Sequence, residues 1–288
     1  MIHKALSTEH DVTITETSRR GHATRLAQSA ARENYDLVVV LGGDGTVNEA
    51  ANGLAGTETA LGVLPGGSTN VFARILGLPD ESVEAAGVLL DALGANNINR
   101  VGLGSVEGRY FLFHCGIGFD AAVVEQVERR GPWKRWAGHP LFVYAAIDTW
   151  LRRVDRTNPP LRILGPDRAE VTTGFFTVVM NANPYTYLGN RSLELIPGLG
   201  LSDPLAAITL EKLDLRTLGS VAGKALAHKP LDGCLNLDIR TDLRSLVIEA
   251  DPPIPYQVDG DHLGASKRLR FAWTPNHLSL LTPLDTEG

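Results

Sequence analysis

At 288 residues, with 43% hydrophobic and 21% charged side chains, the chain has the make-up of a folded protein large enough for two cores, which excludes disorder. A net charge of −6 gives no global attraction to nucleic acid, so an anionic partner must be met by a local patch. Two cysteines, Cys115 and Cys234, argue against a disulfide framework and a CxxC zinc site, and fit a reducing cytoplasm.

No apolar run reaches the roughly eighteen residues of a spanning helix, and residues 1–4 lack the apolar core of a signal peptide. The expectation is a cytoplasmic protein, soluble or peripheral at the inner face of the plasma membrane. Residues 2–10 read as the tail of a helix. Residues 11–17 (DVTITET) alternate β-branched side chains as a strand does. Ala23, Leu26, Ala27 and Ala30 recur at helical spacing, predicting a helix over 21–34. Residues 37–41 form a continuous apolar run, as in a buried parallel strand. A helix over 46–54, a strand over 60–64 and helices over 70–76 and 82–93 follow. This βαβα rhythm predicts a layered α/β domain over residues 1–96.

From residue 97 short strands dominate: 98–103, 110–115, 161–164, 171–182, 205–210, 235–240, 246–250, 256–259 and 269–273. Helices are expected at 142–151 and 215–227. The fold class is therefore α/β plus β, with an antiparallel, sandwich-like second domain over 97–288. The last apolar stretch, 278–281, is a candidate for return to the first domain.

The turn Gly42-Gly43-Asp44-Gly45-Thr46 sits between a buried strand and a helix. Glycines there permit positive φ and close approach to a phosphate, and the helix start supplies an anion site. Asp44 is the unusual member. A carboxylate beside phosphates repels them unless a cation bridges or it takes a ribose or water hydrogen bond, which points to nucleotide-plus-metal chemistry. A ligand-free tight turn is the plainer reading. The Walker A pattern fails because Thr46-Val47 follows Gly45, and the dinucleotide fingerprint fails because Asn48 stands where its last glycine would be.

Residues 42–54 (GGDGTVNEAANGL) and 62–74 (GVLPGGSTNVFAR), continued by 116–121 (GIGFDA) and 258–261 (VDGD), resemble the diacylglycerol kinase catalytic-domain family. The family includes bacterial lipid kinases and sphingosine and ceramide kinases, and shares a GGDG turn with NAD kinases. The resemblance implies ATP binding by Thr17, Gly43, Asp44, Gly45, Thr46, Val47, Asn48 and Glu49, with Ser68 in place of a threonine in the second turn. Val71 stands where the family often has Asp. The stretch 197–205 (PGLGLSDPL) resembles the family's magnesium loop, implying Mg2+ bound by Asp203 and the carbonyls of Gly200 and Leu205. Ser202 and Pro204 depart from that pattern, and a plain surface turn is the competing reading. Asp261 occupies the position of the family's general base, a glutamate, and is one methylene shorter. Asp261 and Asp44 are the catalytic candidates.

Residues 129–136 (RRGPWKRW) pack four basic side chains and two tryptophans, and Phe142, Tyr144, Ile147 and Trp150 follow. Such a segment suits a lipid headgroup region, and equally suits a domain-interface helix with a solvated charged face. The implied activity is transfer of the ATP γ-phosphate to a lipid hydroxyl presented by a membrane surface, with diacylglycerol giving phosphatidic acid the leading case. An NAD kinase-like enzyme and a nucleotide- or lipid-binding relative without catalysis are the alternatives. No nucleic-acid partner is expected, and a homodimer is open. The family's N-terminal strand and Asn-Pro-x-Ser-Gly loop have no counterpart here, so the expectation is a start upstream of Met1 or a truncated form.

Overall fold

The computed structural model describes residues 2–118, 158–165 and 169–284. The chain divides into two compact units, Met1–Leu103 with Pro275–Gly288, and Gly104–Thr274.

In the first unit, β1 (Leu37–Gly42) and β2 (Ala60–Pro65) pair in parallel, from Leu37 opposite Ala60 to Gly42 opposite Pro65. Every position of β2 is buried, which explains why ALGVLP shows no alternation. The end of the last strand adds a second parallel neighbour to β2, with Leu280 opposite Leu61. The chain's final apolar stretch thus belongs to this unit.

Four helices follow the sequence pattern within two residues: α2 (His22–Arg32), α3 (Asp44–Leu54), α4 (Val71–Ile75) and α5 (Ser82–Gly94). Before them, α1 spans Ile2–Leu6. Small side chains set the spacing of α2 and α3. Ala23 and Ala27 on α2 and Ala50 and Ala51 on α3 are all buried, and a Cβ on Gly53 would lie 2.5 Å from the Thr24 carbonyl and 2.8 Å from Ala27 Cβ. A glycine inside a helix costs about 1 kcal/mol; here it permits the contact.

The strand expected over 11–17 does not form. Those residues take no regular secondary structure, are mostly exposed, and pair with no described strand. β-branched alternation favours extended backbone, but only a neighbouring backbone completes a strand.

The second unit is antiparallel. Its strands β4 (Arg109–Phe111), β5 (His114–Gly118), β6 (Leu161–Leu164), β7 (Glu170–Gly174), β8 (Phe176–Met180), β11 (Leu205–Leu210), β12 (Leu237–Leu243) and β13 (Ser245–Val258) carry most of the ladder. The strand β3 (Ile98–Val106) enters this unit, and β14 (Asp261–Leu281) leaves it. β8 pairs with both β5 and β11. Its alternate residues feed two cores, Val179 packing with Ile117, Leu205 and Phe271, and Val178 and Met180 packing with Ile208 and Ala225. The helix α6 (Leu215–Leu226) contributes Ala225 to that second core, and the Asp214 carboxylate caps it by accepting from the Thr217 amide at 2.9 Å.

The run expected as one strand over 171–182 is two strands, broken around Phe175, where a Cβ on Gly174 would collide with the Thr209 side chain. Conversely, the strands expected at 246–250 and 256–259 are one, β13. Its ladder shifts between Glu249 and Ile254, where Pro252 and Pro253 have no amide to donate. A short hairpin, β9 (Thr186–Leu188) with β10 (Arg191–Leu193), was not legible, since three residues show no period. The architecture is an α/β unit plus an antiparallel β unit, as the sequence predicts.

Candidate active site

In the first unit the glycine turn follows β1 directly. Gly43 is the N-cap of α3, in extended conformation (φ −86°, ψ 174°). None of Gly42, Gly43 and Gly45 takes positive φ, so left-handed backbone is not what these glycines provide. They provide close approach. The Gly66 amide donates to the Gly42 carbonyl at 3.0 Å. A Cβ on Gly66 would lie 2.9 Å from Gly42 N, and one on Gly67 would lie 2.7 Å from Gly43 Cα. The turns after β1 and β2 therefore touch backbone to backbone. Thr46 N and Val47 N both bond the Gly43 carbonyl. The amides of a helix's first turn lack an i−4 carbonyl acceptor, an arrangement that suits an anion.

The Asp44 carboxylate accepts from its own amide and also reaches across to α4. Its Oδ1 accepts from the Phe72 amide at 2.9 Å, and its Oδ2 from the Val71 amide at 3.0 Å and the Thr69 hydroxyl at 3.3 Å. The carboxylate thus caps α4 from across the turn. Burial raises its pKa, against the bonds from Phe72, Val71 and Thr69 that lower it. The repulsion that made Asp44 unusual in sequence is met by backbone donors. Val71 offers Asp44 its amide while its side chain is buried, so this contact does not require a particular side chain at 71. Asn70, at φ 45°, pinches the second turn, accepting from Gly67 N at 2.7 Å and donating to Gly67 O at 3.1 Å.

The remaining sequence candidates scatter. Gly45 and Thr46 lie on the first turn of α3, and Ser68 is exposed beside Gly67. Val47 and Asn48 are buried in the helix interior face. Glu49 caps α2, its carboxylate accepting from Gly21 N at 2.6 Å and Ala23 N at 3.2 Å. Thr17 is exposed in the segment without regular structure, one residue before Ser18, whose amide donates to His22 Nδ1 at 3.1 Å.

In the second unit, VDGD is a two-residue hairpin turn between β13 and β14, with Val258 opposite Asp261. Asp259 (φ 48°) and Gly260 (φ 84°) both take positive φ, the requirement of a type I′ turn. Asp259 is buried. Its carboxylate accepts three amides, Leu112 at 2.7 Å, Phe113 at 3.1 Å and His114 at 3.1 Å. Sequence reasoning singled out Asp261 and passed over Asp259; the positive φ an Asp-Gly pair requires was the available signal. Asp261 is 28% exposed, with Oδ2 3.7 Å from Arg109 Nη2.

His114 is buried beside this clamp, its ring 4.5 Å from that of Tyr185. Burial lowers its pKa to about 3, and Nδ1 has no hydrogen-bond partner. The imidazole is therefore neutral at ordinary pH.

The magnesium candidates form a turn before β11. Asp203 Oδ2 accepts from Gly200 N at 2.8 Å, and Asp203 N donates to Gly200 O at 3.1 Å. Among the described residues no three His, Cys, Asp or Glu side chains cluster to hold a metal. Gly200 and Asp203 are exposed and Leu205 is buried at the start of β11; one carboxylate with two carbonyl oxygens is nonetheless the donor type that suits magnesium. The basic, tryptophan-rich segment 129–136, the helix expected at 142–151 and residues 119–121 lie outside the described residues. No described helix is long and apolar enough to cross a membrane.

Residues 1–106 match the model of the diacylglycerol kinase catalytic domain. A Bacillus subtilis (strain 168) diacylglycerol kinase is 41% identical over 105 residues, 35% of this chain and 33% of that protein. That alignment thus spans about a third of the relative's length. A Staphylococcus carnosus (strain TM300) diacylglycerol kinase is 26% identical over 280 residues, covering 94% of this chain and 85% of that protein. Among solved structures, a diacylglycerol kinase from Bacillus anthracis str. Sterne superposes with a TM-score of 0.68 at 22% identity, covering 97% of this chain and 91% of that one. An NAD kinase from Archaeoglobus fulgidus in complex with ATP does so with a TM-score of 0.51 at 12% identity, covering 98% and 88%. At these identities the two structures establish the fold. Residues 1–106 are thus similar to the diacylglycerol kinase catalytic domain.

Proposed function

We propose that the protein is an ATP-dependent lipid kinase acting on diacylglycerol. The observation that carries this reading is the pair of glycine turns packed backbone to backbone at the start of α3, within the 106 residues that match the diacylglycerol kinase catalytic domain. Backbone amides at a helix start suit a polyphosphate. Gly43, Gly45, Thr46 and Ser68 are the proposed phosphate contacts, and Thr17 a further nucleotide contact. Asp44, Asn70 and Glu49 shape that site through the backbone bonds they make.

Asp261 is the proposed general base. The lipid hydroxyl oxygen forms a bond to the γ-phosphorus as its proton passes to the Asp261 carboxylate. The bond between the γ-phosphorus and the β–γ bridging oxygen breaks, and ADP leaves. The Asp203 carboxylate and the carbonyls of Gly200 and Leu205 would hold Mg2+, which when bound would supply a positive charge to that turn. The lipid is presented by a membrane surface, and the sequence 129–136, with its clustered tryptophan and arginine, is the proposed docking segment. Liposome sedimentation of the Trp133→Ala/Trp136→Ala variant tests that role: loss of binding supports it, and unchanged binding rejects it.

The test of function is incubation with labelled ATP and diacylglycerol vesicles, alongside ceramide, sphingosine and NAD. Labelled phosphatidic acid, lost in Asp261→Asn, is the expected result. Label on NAD would move the protein to the NAD kinase reading. Label on no acceptor, with ATP still bound, would make it a binding protein.

A further inference from the structure

We propose that Arg109 is a positioning residue for the general base, its guanidinium fixing the orientation of the Asp261 carboxylate; this rests on the reading of Asp261 as base. Two tight hairpin turns lie in the second unit. Glu107 (φ 48°) and Gly108 (φ 83°) form one, closed by Val106 opposite Arg109. Asp259 and Gly260 form the other, closed by Val258 opposite Asp261. Arg109 and Asp261 are thus the corresponding residues of two type I′ hairpins, each fixed in a strand ladder at the first position after its turn. The Asp259 carboxylate ties the hairpins together, because the amides it accepts, Leu112 to His114, follow directly on the strand that begins with Arg109.

Arg109 has a nearer carboxylate in sequence, Glu107, but that group is engaged elsewhere. Glu107 accepts from Arg270 through the backbone amide at 2.8 Å, Nε at 3.2 Å and Nη2 at 3.0 Å. Arg109 Nη2 lies 3.7 Å from Asp261 Oδ2, and the two side chains are only 32% and 28% exposed. Such shelter weakens solvent screening relative to a fully exposed pair. A base acts only when its oxygen is aimed at the proton it takes, and a displacement near 1 Å can lower a rate by about a hundredfold. A short aspartate has little reach to correct its aim, so a fixed cation at its side has a kinetic consequence.

The experiment compares steady-state phosphorylation of diacylglycerol vesicles by wild type, R109M, R109K and D261N, each with its melting temperature. The expected result is a fall in kcat of roughly tenfold for R109M, with KM for ATP and for lipid within about twofold of wild type. R109K should recover part of the loss, since it keeps the charge. If R109M fails to fold, R109Q takes its place. A kcat within about threefold of wild type, or a loss carried by either KM, overturns the proposal. D261N separates the two readings. Full activity in D261N removes the base assignment itself, whereas an inactive D261N beside a fully active R109M removes only the role of Arg109.

Discussion

Each unit uses a buried or half-buried aspartate to hold backbone amides, and the two do it for different ends. Asp44 takes two amides and a hydroxyl at the start of a five-residue helix, and so joins one glycine turn to the next. Asp259 takes three consecutive amides from a neighbouring strand junction, and so fixes the hairpin that carries Asp261. In the first unit the aspartate ties the start of α3 to the start of α4. In the second it holds another carboxylate in place. An aspartate in a conserved-looking acidic or glycine-rich motif can thus be scaffolding for the group beside it.

Breaking the stronger clamp should have the largest effect. Asp259→Asn removes the charge that satisfies three amides and turns an NH2 toward donors. A loss of about 3–5 kcal/mol in urea unfolding is expected, as for removal of one side of a buried charged contact. A loss below about 1 kcal/mol would show that the hairpin needs no clamp.

The neighbouring histidine sharpens the same region through pH. His114 is neutral in the fold, with its pKa lowered to about 3 from an ordinary 6.5. The unfolded chain therefore takes up a proton as pH falls below 6.5 while the folded chain does not. Stability is fully present above that pH and is lost on the way down toward 3. His114→Phe keeps a ring beside Tyr185 and removes the titration. Between pH 7 and 4.5 wild type should lose on the order of 2 kcal/mol more than this variant, by chemical denaturation at both pH values. Equal losses would place the histidine in a solvated setting.

For the first unit, Gly67→Ala sets a Cβ 2.7 Å from Gly43 Cα, a clash with backbone that no side chain can yield to. A destabilisation of about 1–3 kcal/mol, with weaker ATP binding by calorimetry, is expected. Unaltered ATP affinity would separate the turn contact from the binding site. The smallest effect should come from Glu49→Gln, which keeps one acceptor for Gly21 or Ala23. It should lower stability by about 0.5–1 kcal/mol, the range of a weakened cap, and a much larger loss of ATP affinity than of stability would return Glu49 to direct nucleotide contact.

The sequence was legible where local pattern and fold agree. β1, β2 and the helices around them announced themselves by continuous apolar runs and small-residue spacing, because those features are what burial on one or two faces demands. It was less legible where geometry depends on a distant partner. Residues 11–17 have the composition of a strand and no ladder to join. The glycines at 42, 43, 66 and 67 looked like conformational devices, and their use is contact with one another, which no single-turn reading shows. The backbone contacts of Asp44 and Glu49 were not legible because their partners, the amides of Phe72 and Gly21, carry no side-chain signal. Asp259 was hidden for the same reason.

The contact between the two glycine turns also bears on how this protein can be engineered. Gly42-Gly43 and Gly66-Gly67 interlock through main-chain atoms, and Asp44 and Asn70 fasten each turn to that joint. Neither loop is a module by itself. A graft of one into another α/β scaffold would arrive without the surface that shapes it, so the pair, with the two strands that deliver it, is the smallest portable unit.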